Sequence, residues 1–301
     1  MAFRSNKRVL ITGIDGFTGQ YLSEALRKDG YEVYGTSLRC EDVPYVYRCN
    51  LLDSARIQEV VDRVLPDYVI HLAGISFVGH GVKSDFYNVN CLGTENLLES
   101  LTGMADRLEK VILASSATVY GRVSGQAVLD ESLCPMPENH YGISKLAMER
   151  IAGTFSDVLP IVVARPFNYI GHGQPDCFVV PKIVHHFKER CQKIELGNIN
   201  VEREFNSIYW VCDVYKQLMR SELTGVVNVC SGVGVSLKRL IEMMEAIAGY
   251  AIEVNVNPDF VRKNDPEKLV GSSNKLSRYV DLDTSQHEQA LYEVLKDMYV
   301  S

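Results

Sequence analysis

A doubly wound parallel α/β sheet, completed by a smaller α/β unit, is the architecture this sequence predicts. Three observations predict it. Apolar, β-branched runs alternate with amphipathic segments as far as residue 165. A glycine-rich loop joins the first such run to the first helix. After Pro166 the alternation stops and the loops lengthen. Alternating strands and helices build parallel βαβ units, with helices covering both faces of the sheet.

The elements follow in order. "RVLITG" is an apolar run that stops at Gly13, and "GQYLSEALRKDG" has helical spacing with Leu22, Ala25 and Leu26 on one face. "YEVYGTS" is the second strand, "SARIQEVVDRVL" a helix and "DYVIHLAG" the third strand. "NVNCLGTENLLESLTG" is a helix, "KVILASSATVYG" a strand, "SKLAMERIAGTF" a helix and "LPIVVARPFN" another buried strand. Beyond Pro166, "IYWVCDVYKQLMRS" is a helix returning to the first unit and "GVVNVCSG" a further strand. The expected division is therefore residues 1–165 plus 206–232, and residues 166–205 plus 233–301.

With 301 residues, 46% of them hydrophobic, the chain can bury a sizeable core. A net charge of −7 argues against a general nucleic-acid binder, which needs a basic face. No run of eighteen apolar residues exists, so no membrane span is expected. The start passes straight into a strand-like run without an apolar leader. The eight cysteines are scattered with no CxxC pair, and reduced thiols in a cytoplasm are the simplest expectation. No metal site is expected.

"TGIDGFTG" sets Gly13, Gly16 and Gly19 after the first strand and at the start of a helix. Gly13 permits a tight turn, Gly16 lets backbone amides approach a pyrophosphate, and Gly19 lets helix and strand pack closely. The helix N-terminus adds partial positive charge. This context makes the loop a dinucleotide site on a Rossmann sheet. An acidic residue usually ends the second strand where NAD binds. Here Ser37 stands there and Arg39 follows, a hydroxyl and a cation that suit a 2′-phosphate. NADPH is therefore expected, with NADH the second candidate because Glu41 and Asp42 lie close by in sequence.

"ASSATVYG" closes one strand and "YGISK" opens a helix, so both fall at the carboxyl ends of strands, where ligands bind in such sheets. Tyr141 and Lys145 are one helical turn apart. A neighbouring ammonium favours the phenolate and is expected to lower the Tyr141 pKa. Such a tyrosine can exchange a proton with an alcohol oxygen while hydride moves, and Ser116 can bond the same oxygen.

Taken together, "TGIDGFTG", "HLAG" at 71–74, "NVNCLGTENLL" at 88–98, "SSATVYG", "YGISK" and "ARPFN" resemble the extended short-chain dehydrogenase/reductase family over nearly the whole chain. The resemblance implies that Tyr141 is the acid/base, that Lys145 tunes it and holds the nicotinamide ribose, and that Ser116 orients the substrate oxygen. It also implies cofactor contacts from Asp15, Phe17, Asn50, Leu51, Leu72, Ala73, Gly74, Asn90 and Pro166. "ARPFNYIGHGQPDCFVVPKI", "IELGNINVEREF" and "FVRKNDPEKLVGSSNKL" are similar to the subgroup acting on GDP-linked sugars. That similarity implies substrate contacts from Ser76, Asn168, Val180, Lys182, Gly197, Arg203, Arg262 and Asp265, and a homodimer. A 4,6-dehydratase needs extra acid/base groups after the serine; Ala117 and Thr118 stand there instead. The expected activity is NADPH-dependent reduction of the C4 keto group of a GDP-linked 4-keto-6-deoxyhexose. GDP-4-keto-6-deoxy-D-mannose would give GDP-D-rhamnose or its C4 epimer. Alternatives are a 4-epimerase, a 4,6-dehydratase, or a dinucleotide-binding regulator without catalysis.

Overall fold

Aliphatic, β-branched residues place nearly every side chain of the early strands in the interior, as a sheet covered on both faces requires. The computed structural model describes residues 7–77, 79–121, 128–260 and 268–301. Its strands are β1 (Arg8–Thr12), β2 (Glu32–Ser37), β3 (Val46–Arg48), β4 (Tyr68–His71), β5 (Lys110–Ala114), β6 (Val128–Leu129) and β7 (Ile161–Pro166). There follow β8 (Tyr169–Ile170), β9 (Lys193–Leu196), β10 (Glu202–Glu204), β11 (Asn206–Ser207), β12 (Gly225–Val229), β13 (Gly234–Ser236), β14 (Glu253–Val256) and β15 (Lys268–Gly271). The helices are α1 (Phe17–Lys28), α2 (Ser54–Val64), α3 (Lys83–Tyr87), α4 (Gly93–Thr102) and α5 (His140–Gly153), then α6 (Val179–Lys188), α7 (Ile208–Arg220), α8 (Leu237–Ala248) and α9 (His287–Val300).

Among the described residues, the central sheet has seven strands in the order β12-β7-β5-β4-β1-β2-β3, all parallel. This is the doubly wound Rossmann sheet expected. Alternate side chains feed opposite cores. Val9, Ile11, Ile70 and Val162 pack under α1 and α7, while Leu10, Val69, Val111 and Val163 pack under α2, α4 and α5. A third cluster joins α6, α8 and α9 with β9.

Three details differ from expectation. The strand through "KVILASSATVYG" ends at Ala114, because the Ser116 hydroxyl accepts the Thr118 amide at 3.1 Å and caps a short 3-10 turn over Ala117–Tyr120. The helix expected from Asn88 begins at Lys83 and includes a π turn at Asn88–Leu92. β3 is an added edge strand beside β2.

The smaller unit is stitched from distant segments. β10 lies between β13 and β15, and β15 pairs with β6, whose residues 128–129 fall inside the stretch 1–165 expected to belong to the first unit. Leu276 and Val280 pack back into the core beneath α1 and α7. At the junction Glu204 is fully buried. Its Oε1 accepts the Gly271 amide at 2.6 Å and its Oε2 accepts the Ser231 amide at 2.8 Å.

Candidate active site

The glycine loop is shaped as its sequence demands. Gly13 has φ of +69°, a left-handed conformation open to glycine at low cost, and its amide donates to the Thr36 carbonyl of β2 at 2.9 Å. A Cβ on Gly19 would stand 2.4 Å from the Gly13 carbonyl oxygen, so helix and loop touch only because glycine is there. Gly16 caps α1 with no side-chain hydrogen bond, and no acidic residue occupies the first turn. The N-terminal amides of α1, which no side chain caps, therefore suit a pyrophosphate, and the residues present fit a dinucleotide. Phe17 stacks on Tyr169, with centroids 6.0 Å apart. The Asp15 carbonyl accepts from the Gln20 side chain at 2.9 Å.

At the end of β2, Ser37 Oγ accepts the Arg39 and Cys40 amides at 3.0 and 3.3 Å, which leaves its own hydrogen to donate. The Arg39 side chain is exposed and forms no ion pair among the described residues. The nearby carboxylates are engaged elsewhere. Asp42 takes a fork from Arg56 Nη2 at 2.6 and 2.8 Å, and Glu41 takes Arg48 Nη1 at 2.6 Å. Asn50 is exposed and its Oδ1 accepts the Leu52 amide at 3.1 Å, while Leu51 is buried.

The loop after β4 is fixed from below. His71 is fully buried between Thr12 Oγ1 at 2.7 Å and Thr94 Oγ1 at 2.9 Å. Thr94 donates its own hydrogen to the Asn90 carbonyl, so His71 Nε2 donates to Thr94 and Nδ1 accepts from Thr12. Burial, and then the Lys145 charge, push its pKa down to about 3, so the ring is neutral. Thr12 Oγ1 also accepts the Ala73 amide, and the Leu72 amide bonds the Thr12 carbonyl. Asn90 was expected to touch the cofactor. In this structure it is buried, bonding the Ile75 amide at 2.9 Å and Ser144 Oγ at 3.0 Å, so its amide holds the loop itself. Gly74 faces Asn90 and Lys145; a Cβ there would stand 2.8 Å from Asn90 Oδ1 and 3.3 Å from Lys145 Nζ.

Asn139 caps α5, and Tyr141, Lys145, Met148, Glu149 and Ala152 form its buried face. Lys145 Nζ donates to the Ala114 carbonyl at 2.8 Å. The two pKa values correct the expectation of a Lys-driven phenolate. Burial pushes Tyr141 up to about 12, against a hydrogen bond from Ser116, and burial pushes Lys145 down to about 8. The reason is that both groups are buried, and desolvation is the largest influence on each. At neutral pH the site presents a protonated phenol. Of the two serines, Ser115 donates to Glu149 at 2.5 Å, whereas Ser116 donates to Thr118 Oγ1 at 2.9 Å and is the one that acts on the Tyr141 pKa. Pro166, half-buried, ends β7 beside them.

The substrate residues are gathered only in part. Lys182 Nζ donates to the Glu195 carbonyl at 2.9 Å and lies 5.1 Å from the centre of the Phe260 ring. Gly197 lies against the same residue: a Cβ there would stand 2.5 Å from the Phe260 carbonyl oxygen. Asn168 Nδ2 donates to the Glu204 carbonyl at 3.0 Å, and Arg203 Nη1 to the Glu202 carbonyl at 2.7 Å. Ser76 is exposed in the loop after β4. Val180 corrects another expectation. It is 2% exposed within the cluster of α6, α8 and α9, so its side chain packs the core instead of lining a ligand site. Arg262 and Asp265 lie outside the described residues.

Sequence reasoning missed Glu149 and Arg165, which form a buried pair behind the site. The signal was present: Glu149 follows Lys145 by one helical turn, and an arginine inside the apolar strand "IVVARP" requires a buried partner.

Comparison with known proteins follows the same lines. The model of the NAD dependent epimerase/dehydratase family matches residues 9–230. A GDP-6-deoxy-D-talose 4-dehydrogenase of Aggregatibacter actinomycetemcomitans is 33% identical over 97% of both chains. A GDP-6-deoxy-D-mannose reductase of Pseudomonas aeruginosa is 32% identical over 90% of both. The solved structure of RMD from Pseudomonas aeruginosa complexed with NADPH superimposes with a TM-score of 0.84 at 28% identity, covering 98% of this chain and 97% of that one.

Proposed function

The chain belongs to the NAD dependent epimerase/dehydratase family and is a nicotinamide-dependent enzyme acting on nucleotide sugars; from that premise we propose that it reduces the C4 keto group of GDP-4-keto-6-deoxy-D-mannose. NADPH is the reductant, and the product is GDP-D-rhamnose or its C4 epimer. The observation that carries the reading is the strand-end segment 116–118. Ser116 lies beside the Tyr141 phenol, Ala117 bears no proton-transfer group, and Thr118 Oγ1 accepts the Ser116 hydroxyl at 2.9 Å. Keto reduction needs one proton donor; dehydration needs further acid and base. The names of the two relatives, a 4-dehydrogenase and a reductase of GDP-6-deoxyhexoses, agree with C4 redox chemistry.

The residues divide the work. The N-terminus of α1 with Gly13, Gly16 and Gly19 holds the pyrophosphate. Ser37 and Arg39 take the 2′-phosphate, favoured because Glu41 and Asp42 are tied to Arg48 and Arg56. The bound cofactor supplies the hydride. Tyr141, kept protonated at neutral pH, gives its proton to the C4 oxygen as negative charge develops there. Ser116 orients that oxygen. Lys145 sets positive charge beside the phenol and the nicotinamide ribose. Lys182, Gly197, Asn168 and Arg203 serve the nucleotide diphosphate from the smaller unit, residues 166–205 plus 233–301. A homodimer across α4 and α5 is part of the proposal, since Leu92 and Ile143 expose apolar surface there at 49% and 39%.

The test supplies dTDP-, UDP- and GDP-linked 4-keto-6-deoxy sugars with NADPH and follows absorbance. Oxidation of NADPH with the GDP sugar supports the proposal, and chromatography of the product assigns the C4 configuration. If only another nucleotide's sugar is reduced, the base assignment fails. Conversion of GDP-mannose, or of a 4-epimer pair, without net NADPH use would replace the reductase by a dehydratase or epimerase.

A further inference from the structure

Helix α5 grips the end of β5 at two consecutive residues. Lys145 Nζ takes the Ala114 carbonyl at 2.8 Å. One turn later, Glu149 Oε1 accepts the Ser115 hydroxyl at 2.5 Å. Ser115 is held on its other side by its amide, which donates to the Ala164 carbonyl of β7 at 2.7 Å. The next residue in the chain is Ser116, whose backbone turns there into the 3-10 segment Ala117–Tyr120.

Glu149 is itself aimed by a fork. Arg165 Nε donates to Oε1 at 2.9 Å and Nη2 to Oε2 at 2.6 Å, with both side chains 4% exposed. The guanidinium lies 4.8 Å from the centre of the Tyr120 ring, and the Tyr120 hydroxyl donates to Asn228 of β12 at 2.7 Å. The Glu149–Arg165 pair thus joins α5, the end of β5, β7 and the turn that follows Ser116. Stability is a poor reason for such a pair. Desolvating two charges consumes much of their attraction, and packed apolar side chains hold a sheet as well or better. Here Arg165 Nη1 even remains buried without a hydrogen-bond partner among the described residues. What charged groups in fork geometry provide, and apolar ones do not, is a fixed direction for the third partner, Ser115.

We propose that Glu149 is a positioning residue: through Ser115 it sets the backbone that carries Ser116 and so holds the Ser116 hydroxyl against Tyr141. This rests on the catalytic reading of Ser116 and Tyr141 given above. A lost grip moves an oxygen-binding hydroxyl by a fraction of an ångström, which affects turnover more than binding.

The experiment is a double-mutant cycle on reduction of GDP-4-keto-6-deoxy-D-mannose by NADPH. Ser115→Ala should lower kcat about fivefold, leaving KM and cofactor affinity within about twofold, because positioning is lost but binding is not. In a Ser116→Ala background the same change should have no further effect on kcat. Glu149→Gln should reproduce the loss with the same dependence on Ser116; if it does not fold, the Ser115 cycle decides alone. The proposal is overturned if Ser115→Ala turns over at the wild-type rate, or loses the same factor with and without Ser116. If Ser116→Ala alone leaves kcat unchanged, the catalytic reading is what fails, and the proposal falls with it.

Discussion

The carboxyl end of the central sheet and the part of the smaller unit that carries the proposed substrate residues are built on different terms. At the sheet end, polar side chains are buried and bonded into backbone: Lys145 to Ala114, Asn90 to Ile75, Thr12 to Ala73. On the other side Asn168, Lys182, Gly197 and Arg203 are more exposed and come from a helix, a short strand and loops, and the side chains that bond do so to single carbonyls, as Lys182 does at Glu195. The difference teaches where precision is needed. Proton and hydride transfer tolerate little displacement, so their residues are fixed by a frame of parallel strands. Recognition of a nucleotide diphosphate is spread over many contacts, each of modest weight. Damage to the first region should therefore appear in kcat, and damage to the second in KM.

The largest effect should come from Tyr141→Phe. The ring still packs against Phe86, but the proton donor is gone, and kcat should fall by roughly 10²–10⁴-fold. Cofactor affinity, measured by fluorescence titration, should be unchanged; near-normal turnover would make the tyrosine structural. Next comes the dependence on Lys145. Its pKa is lowered to about 8, so its ammonium is present below that pH and lost above it. The pH profile of kcat should hold on the acid side and fall as pH rises through about 8, and Lys145→Met should be slow throughout and weaker in cofactor binding. A profile flat to pH 10 would remove the ammonium from the mechanism.

Third, Gly19→Ala sets a methyl group against the carbonyls of Gly13 and Ile14, at 2.4 and 2.7 Å. The loop must shift, at about 1–3 kcal/mol, and a lower melting temperature should accompany weakened cofactor binding. Fourth, Arg39→Ala should cut the preference for NADPH over NADH about tenfold, or about 1.4 kcal/mol. An unchanged ratio of dissociation constants would take Arg39 away from the phosphate. The smallest effect is expected in the smaller unit. Lys182→Ala should raise KM for the nucleotide sugar about threefold at constant kcat, the scale of one exposed charged contact. A drop in kcat instead would blur the contrast between the two regions.

Legibility in the sequence follows the same divide. Six of the seven central strands stand out because each is an apolar run stopped by a turn, and their connecting helices carry an apolar stripe. β3 does not: three residues, ending in Arg48, show no period. In the smaller unit, β15 meets β6 through Val270 and Val128, a pairing that local periodicity cannot reveal. α8 was within reach, since Ser236 caps it and its apolar residues recur at helical spacing. Tyr141 and Lys145 were singled out by spacing and order, and Ser116 by the family resemblance. What spacing could not supply was the sign of the Tyr141 shift, which burial decides, or the commitment of Asn90 and Val180 to the interior. An isolated motif names a side chain; only packing says how dry it is.

Glu204 has a consequence of another kind. Its carboxylate is satisfied only after Ser231, 27 residues away, and Gly271, 67 residues away, have both arrived. Loops of that length close at an entropic cost that must be met before the bonds exist to repay it. We expect the clasp to close late, after the folding barrier has been crossed. Weakening it by Glu204→Gln should hasten unfolding and leave the folding rate almost unaltered. On that expectation the residue governs how long the assembled chain survives, and has little say in how fast it assembles.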